Sequence, residues 1–338
     1  MTARLEISTD VFLRNLDAVS ARISPGEFML VTKDDAYAHG LDWAVSAARS
    51  AGVHWFGSYD VASALRIRTL APDVRIFAWA TSTADEVAQA ILADVDLGVG
   101  TPEYLRRVVA EAERLQRRAR VHLKVDTGLH RNGIRPEQWP DAVAEARRAE
   151  EAGLLRVTGV WSHLAEASDA EDDAAQRVFL SAVDALRAAG GAPRRLHLTA
   201  SAASWWRPEL RGTLSRIGAF CYGIRSADGP ELDGIRPAAA LRADVIDVRD
   251  GRARIDVGAL DGLPSNLVGA SIDDGRARIV RVERTWTEIS GIDDARTGRS
   301  ITVFGPDGVS ATDLAEHIDT VGEEILTRVS PLLERRYS

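Results

Sequence analysis

Hydrophobic and polar positions follow two alternating rhythms up to about residue 225. Short apolar runs at residues 28–33, 54–58, 75–79, 96–99, 120–125, 155–162, 195–198 and 216–219 read as strands. Between them, stretches such as 41–50, 102–117 and 174–189 place apolar residues three and four apart, the spacing of a helix with one buried face. A further helix is expected through Val19, behind a cap-like Ser8, Thr9 and Asp10. Eight strand and helix units in succession predict a parallel (β/α)8 barrel of the TIM type, with its active site at the C-terminal ends of the strands. Lys33, Lys124, His163 and His197 fall at or near such ends.

The rhythm changes near Arg236. Apolar runs at 241–248, 253–257, 277–282 and 300–304 are separated by glycine-rich turns, and helical patches follow at 311–318 and 323–333. This predicts a smaller β-rich domain over residues 236–338 behind a barrel domain over 1–235.

Composition narrows the function. The chain has 338 residues, 45% of them hydrophobic and 27% charged, which is a globular balance. A diffuse net charge of −8 disfavours nucleic acid or an anionic membrane as partner. The first ten residues contain no apolar core and no run is long enough to span a bilayer, so a cytoplasmic location is expected. One cysteine, Cys221, provides neither an intrachain disulfide nor a zinc cluster, and no metal is expected. Of 42 basic residues only Lys33 and Lys124 are lysine. An amine can form a Schiff base or a carbamate and a guanidinium cannot, so both lysines are candidates for chemistry. His39, His54, His122 and His317 lack a comparable setting and read as structural, and Gly98-Val99-Gly100 is too short to mark a dinucleotide site.

Five ordered motifs carry a resemblance. They are LVTKDDAYAHG at 30–40, KVDTGLHRNG at 124–133, GVWSHLA at 159–165, HLTASAA at 197–203 and RIGAFCYG at 216–223. Together the chain resembles the alanine racemase family of fold-type III pyridoxal-phosphate enzymes. The resemblance implies an eight-stranded barrel, a β-rich C-terminal domain and a head-to-tail homodimer. It also implies pyridoxal 5'-phosphate as cofactor and an amino acid as substrate.

By resemblance Lys33 is the Schiff-base lysine and a base at the amino acid's Cα. Arg216 is the partner of the pyridine nitrogen, His163 packs against the ring, and His197 bonds Arg216. Tyr37, Ser201 and the backbone near Gly218 and Ala219 hold the phosphate. Lys124 is the position often carbamylated in the family, where it orients the residue corresponding to Arg131. An arginine at the ring nitrogen keeps its proton, which weakens the cofactor as an electron sink.

The chain also departs from the family. The turn that normally supplies a second catalytic base, Gly-Tyr-Ala-Asp-Gly-Tyr-Pro, reads GALDGLP at 258–264, with Ala259 at the tyrosine position. The Asn of the His-x-x-Asn-Ser motif is Ala200, the Met-Asp-Gln segment aligns with Val282-Glu283-Arg284, and a late tyrosine is Glu323. A methyl group exchanges no proton, so three readings stand. One-base chemistry, such as retro-aldol cleavage of a β-hydroxy amino acid, is favoured. Racemisation or epimerisation with Asp261, Glu283 or Glu323 in place of the tyrosine is the second. A non-catalytic cofactor- or ligand-binding protein is the third.

Overall fold

The computed structural model describes residues 3–338, which divide into two compact units. One comprises residues 20–33 and 48–218, and the other the described residues through 19, 34–47 and 219–338. Neither unit is a single stretch of sequence.

The first unit is a nearly closed barrel of eight parallel strands. Their order around the sheet is Arg195–His197, Leu155–Trp161, Ala119–Lys124, Asp96–Val99, Arg75–Ala78, Trp55–Ser58, Glu27–Val31 and Leu214–Ile217. The two end strands approach each other where the Thr213 N–H donates to the Leu196 carbonyl at 2.9 Å. Parallel strands packed on both faces need apolar residues throughout, which explains the unbroken runs that mark them in the sequence. Helices start where the chain supplies a cap. Thr83 and Glu86 form a reciprocal capping box before Ala84–Leu92, and Thr101 accepts from the Tyr104 N–H with Pro102 in the first turn of Pro102–Leu115. Ser168 caps Asp169–Ala188, so this helix begins five residues before the apolar spacing predicts.

Glycines shape the barrel interior. A side chain on Gly98 would meet Phe77, Trp161 and Trp79 at 2.9–3.0 Å, and one on Gly159 would meet the His122 ring at 2.5 Å and the Arg195 carbonyl oxygen at 2.6 Å. Gly98 thus makes room for aromatic side chains and Gly159 for an imidazole.

The second unit carries a mostly antiparallel sheet in the order Ser271–Ile272, Ala277–Val282, Thr287–Ser290, Arg252–Ile255, Ala239–Arg249, Arg4–Ile7 and Glu334–Tyr337, with Ser300–Phe304 pairing Ala239–Arg249. Arg4–Ile7 runs antiparallel to Ala239–Arg249 and parallel to Glu334–Tyr337. The last of these strands lies beyond the helix Gly322–Thr327, which ends six residues before the expected patch does. Ser330 and Leu333 close a turn there instead of continuing the helix.

A left-handed turn is the unit's most unusual local structure. Asp34, Asp35, Ala36, Tyr37 and Ala38 all have φ between 53° and 65°. For residues with a Cβ this conformation costs about 1–2 kcal/mol each, so it needs external support. The Asp35 carboxylate accepts from the Leu41 N–H at 2.7 Å, and His39 Nδ1 meets the Ala36 and Tyr37 carbonyls at 3.1 and 2.9 Å. Arg335 Nε donates to the Ala38 carbonyl at 2.8 Å, and the Tyr337 hydroxyl donates to that of His39 at 3.0 Å. Among the described residues no helix is long and apolar enough to cross a membrane, and no group of three His, Cys, Asp or Glu side chains is placed to hold a metal.

Candidate active site

Within the barrel unit, the strand ends bring Lys33, Lys124, His163, His197, Ser201, Arg216 and Gly218 onto the structures that carry the barrel mouth. Lys33 follows the strand Glu27–Val31 by two residues and is half-buried. Arg216, on Leu214–Ile217, is 4% exposed and surrounded by acceptors. Its Nη1 donates to the His197 carbonyl at 2.7 Å and lies 3.0 Å from His197 Nδ1. Its Nη2 donates to the carbonyls of Ser162 (2.7 Å) and Leu198 (3.3 Å) and lies 3.3 Å from His163 Nδ1. A guanidinium only donates, so both histidines present a lone pair to it. Burial pulls Arg216 down to about 9, with Glu166 opposing and Arg131 reinforcing that fall, so the group stays charged at neutral pH.

Lys124 ends the strand Ala119–Lys124, 4% exposed, with its Nζ 4.4 Å above the Trp161 ring centroid. Burial, then the charges of Arg216 and Arg131, lower it to about 7 against the pull of Asp126. A substantial neutral fraction of this amine therefore exists at physiological pH. His163 is lowered to about 3, first by burial and then by Arg216, Arg131, Lys124 and Lys33. Arg131 itself is exposed, in the loop where Asp126 accepts from the backbone of Gly128 and His130, both at 3.1 Å. The Ser201 hydroxyl accepts from the Gly218 N–H at 3.1 Å and keeps a proton to donate.

The other predicted residues lie in the second unit. Tyr37 is buried in the left-handed turn, its ring 5.0 Å from that of Tyr222. Burial foremost, then Glu323, raises its hydroxyl far above the usual value, and a backbone hydrogen bond with Ala219 opposes this. Asp261 sits in the turn Ala259–Asp261, where the N–H groups of Ala259 and Leu260 donate to the Glu283 and Arg284 carbonyls at 2.8 and 2.9 Å. The Asp261 and Glu283 segments are thus adjacent. The Asp261 carboxylate turns back to the Gly258 N–H at 2.9 Å, and Glu283 faces Arg281 at 3.3 Å. Glu323, on Gly322–Thr327, is with Asp34 one of two carboxylates whose charge reaches Tyr37, and the stronger of them.

His122, read above as structural, and Asp96 were not among the expected site residues. His122 Nδ1 lies 2.7 Å from His197 Nε2, and His122 Nε2 lies 3.1 Å from Asp96. A signal was available. His122 and Lys124 are two apart on one strand and so share a face.

The model of the alanine racemase N-terminal domain matches residues 7–226. The chain belongs to the alanine racemase family. Alanine racemase of Thermobifida fusca (strain YX) is 34% identical over 367 aligned positions, covering 99% of this chain and 98% of that protein. The crystal structure of alanine racemase from D-cycloserine producing Streptomyces lavendulae superposes with a TM-score of 0.93 at 30% identity, covering 100% of this chain and 97% of that one. Alanine racemase from Streptomyces coelicolor A3(2) gives 0.94 at 29%, covering 99% and 98%. Alanine racemase family enzymes use pyridoxal 5'-phosphate, and the donor set of this barrel fits such a group. Arg216, Arg131, Lys33 and the partly charged Lys124 all disfavour a charge on the one imidazole of His163, a positive surplus that an anionic ligand would offset. The Ser201 hydroxyl adds a neutral donor suited to phosphate.

Proposed function

We propose that the chain acts at the Cα of an amino acid with pyridoxal 5'-phosphate as cofactor and Lys33 as its base. The buried Arg216 guanidinium, 3.0 Å from His197 Nδ1 and 3.3 Å from His163 Nδ1 in a barrel whose strands also end at Lys124 and two residues before Lys33, is the observation that carries this reading. The cofactor, when bound, supplies an electron sink that weakens the bonds at Cα. In this reading Lys33 anchors its aldehyde, Arg216 faces the ring nitrogen and His163 packs on the ring. Tyr37, Ser201 and the backbone near Gly218 and Ala219 would hold the phosphate. Arg131 receives the substrate carboxylate, and Lys124, with its depressed basicity, is a candidate for carbamylation.

Proton movement then runs through Lys33 on one face of Cα. Ala259 supplies no acid or base to the other face. One-sided chemistry follows, of which retro-aldol cleavage of a β-hydroxy amino acid is the form we favour. Lys33 would take the proton of the β-hydroxyl as the Cα–Cβ bond breaks to release an aldehyde, and would return that proton to Cα to leave glycine. Full-length similarity to alanine racemases supports a second reading, racemisation or epimerisation, with Asp261, Glu283 or Glu323 replacing the missing tyrosine. The protein is read as a cytoplasmic head-to-tail homodimer in either case.

Incubation of the loaded protein with D- and L-amino acids in deuterated buffer separates these readings. Glycine and an aldehyde support cleavage, whereas deuterium at Cα with inversion supports racemisation. A borohydride-trapped adduct at Lys33 with neither outcome would leave a binding protein. Absence of any adduct at Lys33 would overturn the proposal.

A further inference from the structure

Behind the Arg216 guanidinium a row of polar groups crosses the barrel interior. Arg216 Nη1 is 3.0 Å from His197 Nδ1, His197 Nε2 is 2.7 Å from His122 Nδ1, and His122 Nε2 is 3.1 Å from Asp96 Oδ2. His197, His122 and Asp96 are wholly buried. Packing holds the rings in place: Phe77 lies 4.9 Å from His122 and 5.2 Å from His197, and Trp161 stacks on His197 at 5.8 Å.

One proton arrangement satisfies the whole row. Arg216 can only donate, so His197 Nδ1 accepts. Neutral His197 then carries its proton on Nε2 and donates it to His122 Nδ1. His122 in turn carries its proton on Nε2 and donates to Asp96. Asp96 also accepts from Arg120 Nε and, at 3.2 Å, from the Thr158 hydroxyl, so it ends the row as an anchored acceptor. Reversing the row would set an N–H of His197 against an N–H of Arg216.

We infer that Asp96 and His122 are positioning residues for Arg216, fixing the His197 tautomer that offers the guanidinium a lone pair and so holding Arg216 in its orientation. The inference rests on the reading of Arg216 as the partner of the cofactor's ring nitrogen. Asp96 and His122 touch no reacting atom and act through His197 alone. Their role is analogous to that of a carboxylate that sets a histidine tautomer in a catalytic triad.

The test reads tautomers directly. Two-bond 1H–15N correlation spectra of the 15N-labelled full-length protein, recorded with and without pyridoxal 5'-phosphate, should show both His122 and His197 protonated at Nε2. In Asp96→Asn, with the amide oxygen kept by Arg120, the amide N–H faces His122 and drives both rings to the Nδ1-protonated form. Cofactor affinity should then fall on the order of 10- to 100-fold, as for other lost outer-sphere partners. His122→Gln accepts from His197 and donates to Asp96, so it should stay near the parent affinity, whereas His122→Leu should lose it. These two variants decide the matter if Asp96→Asn does not fold.

Nδ1 protonation of either ring in the parent, or an unchanged His197 tautomer in folded Asp96→Asn, would overturn the inference. So would equal affinities of the Gln and Leu variants. A parent with the expected tautomers that binds no cofactor would instead sink the reading of Arg216, and with it the positioning role.

Discussion

Replacing Gly159 by alanine tests whether the barrel interior is as tightly determined as its geometry says. The added methyl would stand 2.5 Å from His122 Nδ1 and 2.6 Å from the Arg195 carbonyl oxygen, both well inside van der Waals contact. The carbonyl belongs to the strand Arg195–His197, which pairs with Leu155–Trp161, so it can move only with the sheet. The ring can yield only by breaking its 2.7 Å bond to His197. Overpacking of a buried site costs about 1–3 kcal/mol, and a stranded buried donor or acceptor about 1–3 kcal/mol more. The expected destabilisation is therefore about 2–6 kcal/mol, read as a lowered urea midpoint with an unchanged slope. Repeating the substitution in a His122→Ala background separates the two sources, since only the carbonyl clash remains there. A Gly159→Ala protein within about 0.5 kcal/mol of the parent would refute the reasoning, because ordinary surface changes span that range.

Three further outcomes follow from other residues. Burial lowers His39 and His163 to about 4 and 3, so the folded state refuses protons that an unfolded histidine takes up at its ordinary value. Stability is then complete above about pH 6.5 and falls below it by about 1.4 kcal/mol per pH unit for each such group, and urea midpoints at pH 7, 6 and 5 that coincide would contradict this. Lys124, lowered to about 7, is neutral in the folded protein where the unfolded chain still binds its proton. Stability should therefore rise with pH from about 7 towards the ordinary lysine value, and Lys124→Met should remove that rise. Arg335→Ala removes the 2.8 Å donor to the Ala38 carbonyl and should raise hydrogen exchange and proteolysis at residues 34–38, at a cost of about 1.5–3 kcal/mol.

The barrel was legible because strands buried on both faces are written as continuous apolar runs. Each of the eight runs overlaps a strand, with ends displaced by at most two residues. The strands Arg4–Ile7, Ser271–Ile272, Thr287–Ser290 and Glu334–Tyr337 were not legible. They are two to four residues long, and Glu334–Tyr337 is almost wholly charged, so periodicity had too little to work on. The site divides in the same way. Lys33 and Arg216 stand in motifs that can be read locally. The bond between His122 and His197 joins residues 75 positions apart and depends on Gly159 lacking a side chain, a condition no local pattern records.

The pairing of Arg4–Ile7 with Glu334–Tyr337 has a temporal consequence. A ribosome makes the first of these strands more than three hundred residues before its parallel neighbour exists. The segments 20–33 and 48–218 are complete long before then and can condense while synthesis continues. The turn that carries Tyr37 takes two of its supports from Arg335 and Tyr337, so it is among the last pieces to lock. A nascent chain arrested before residue 334 should therefore hold a formed barrel alongside an unset Tyr37.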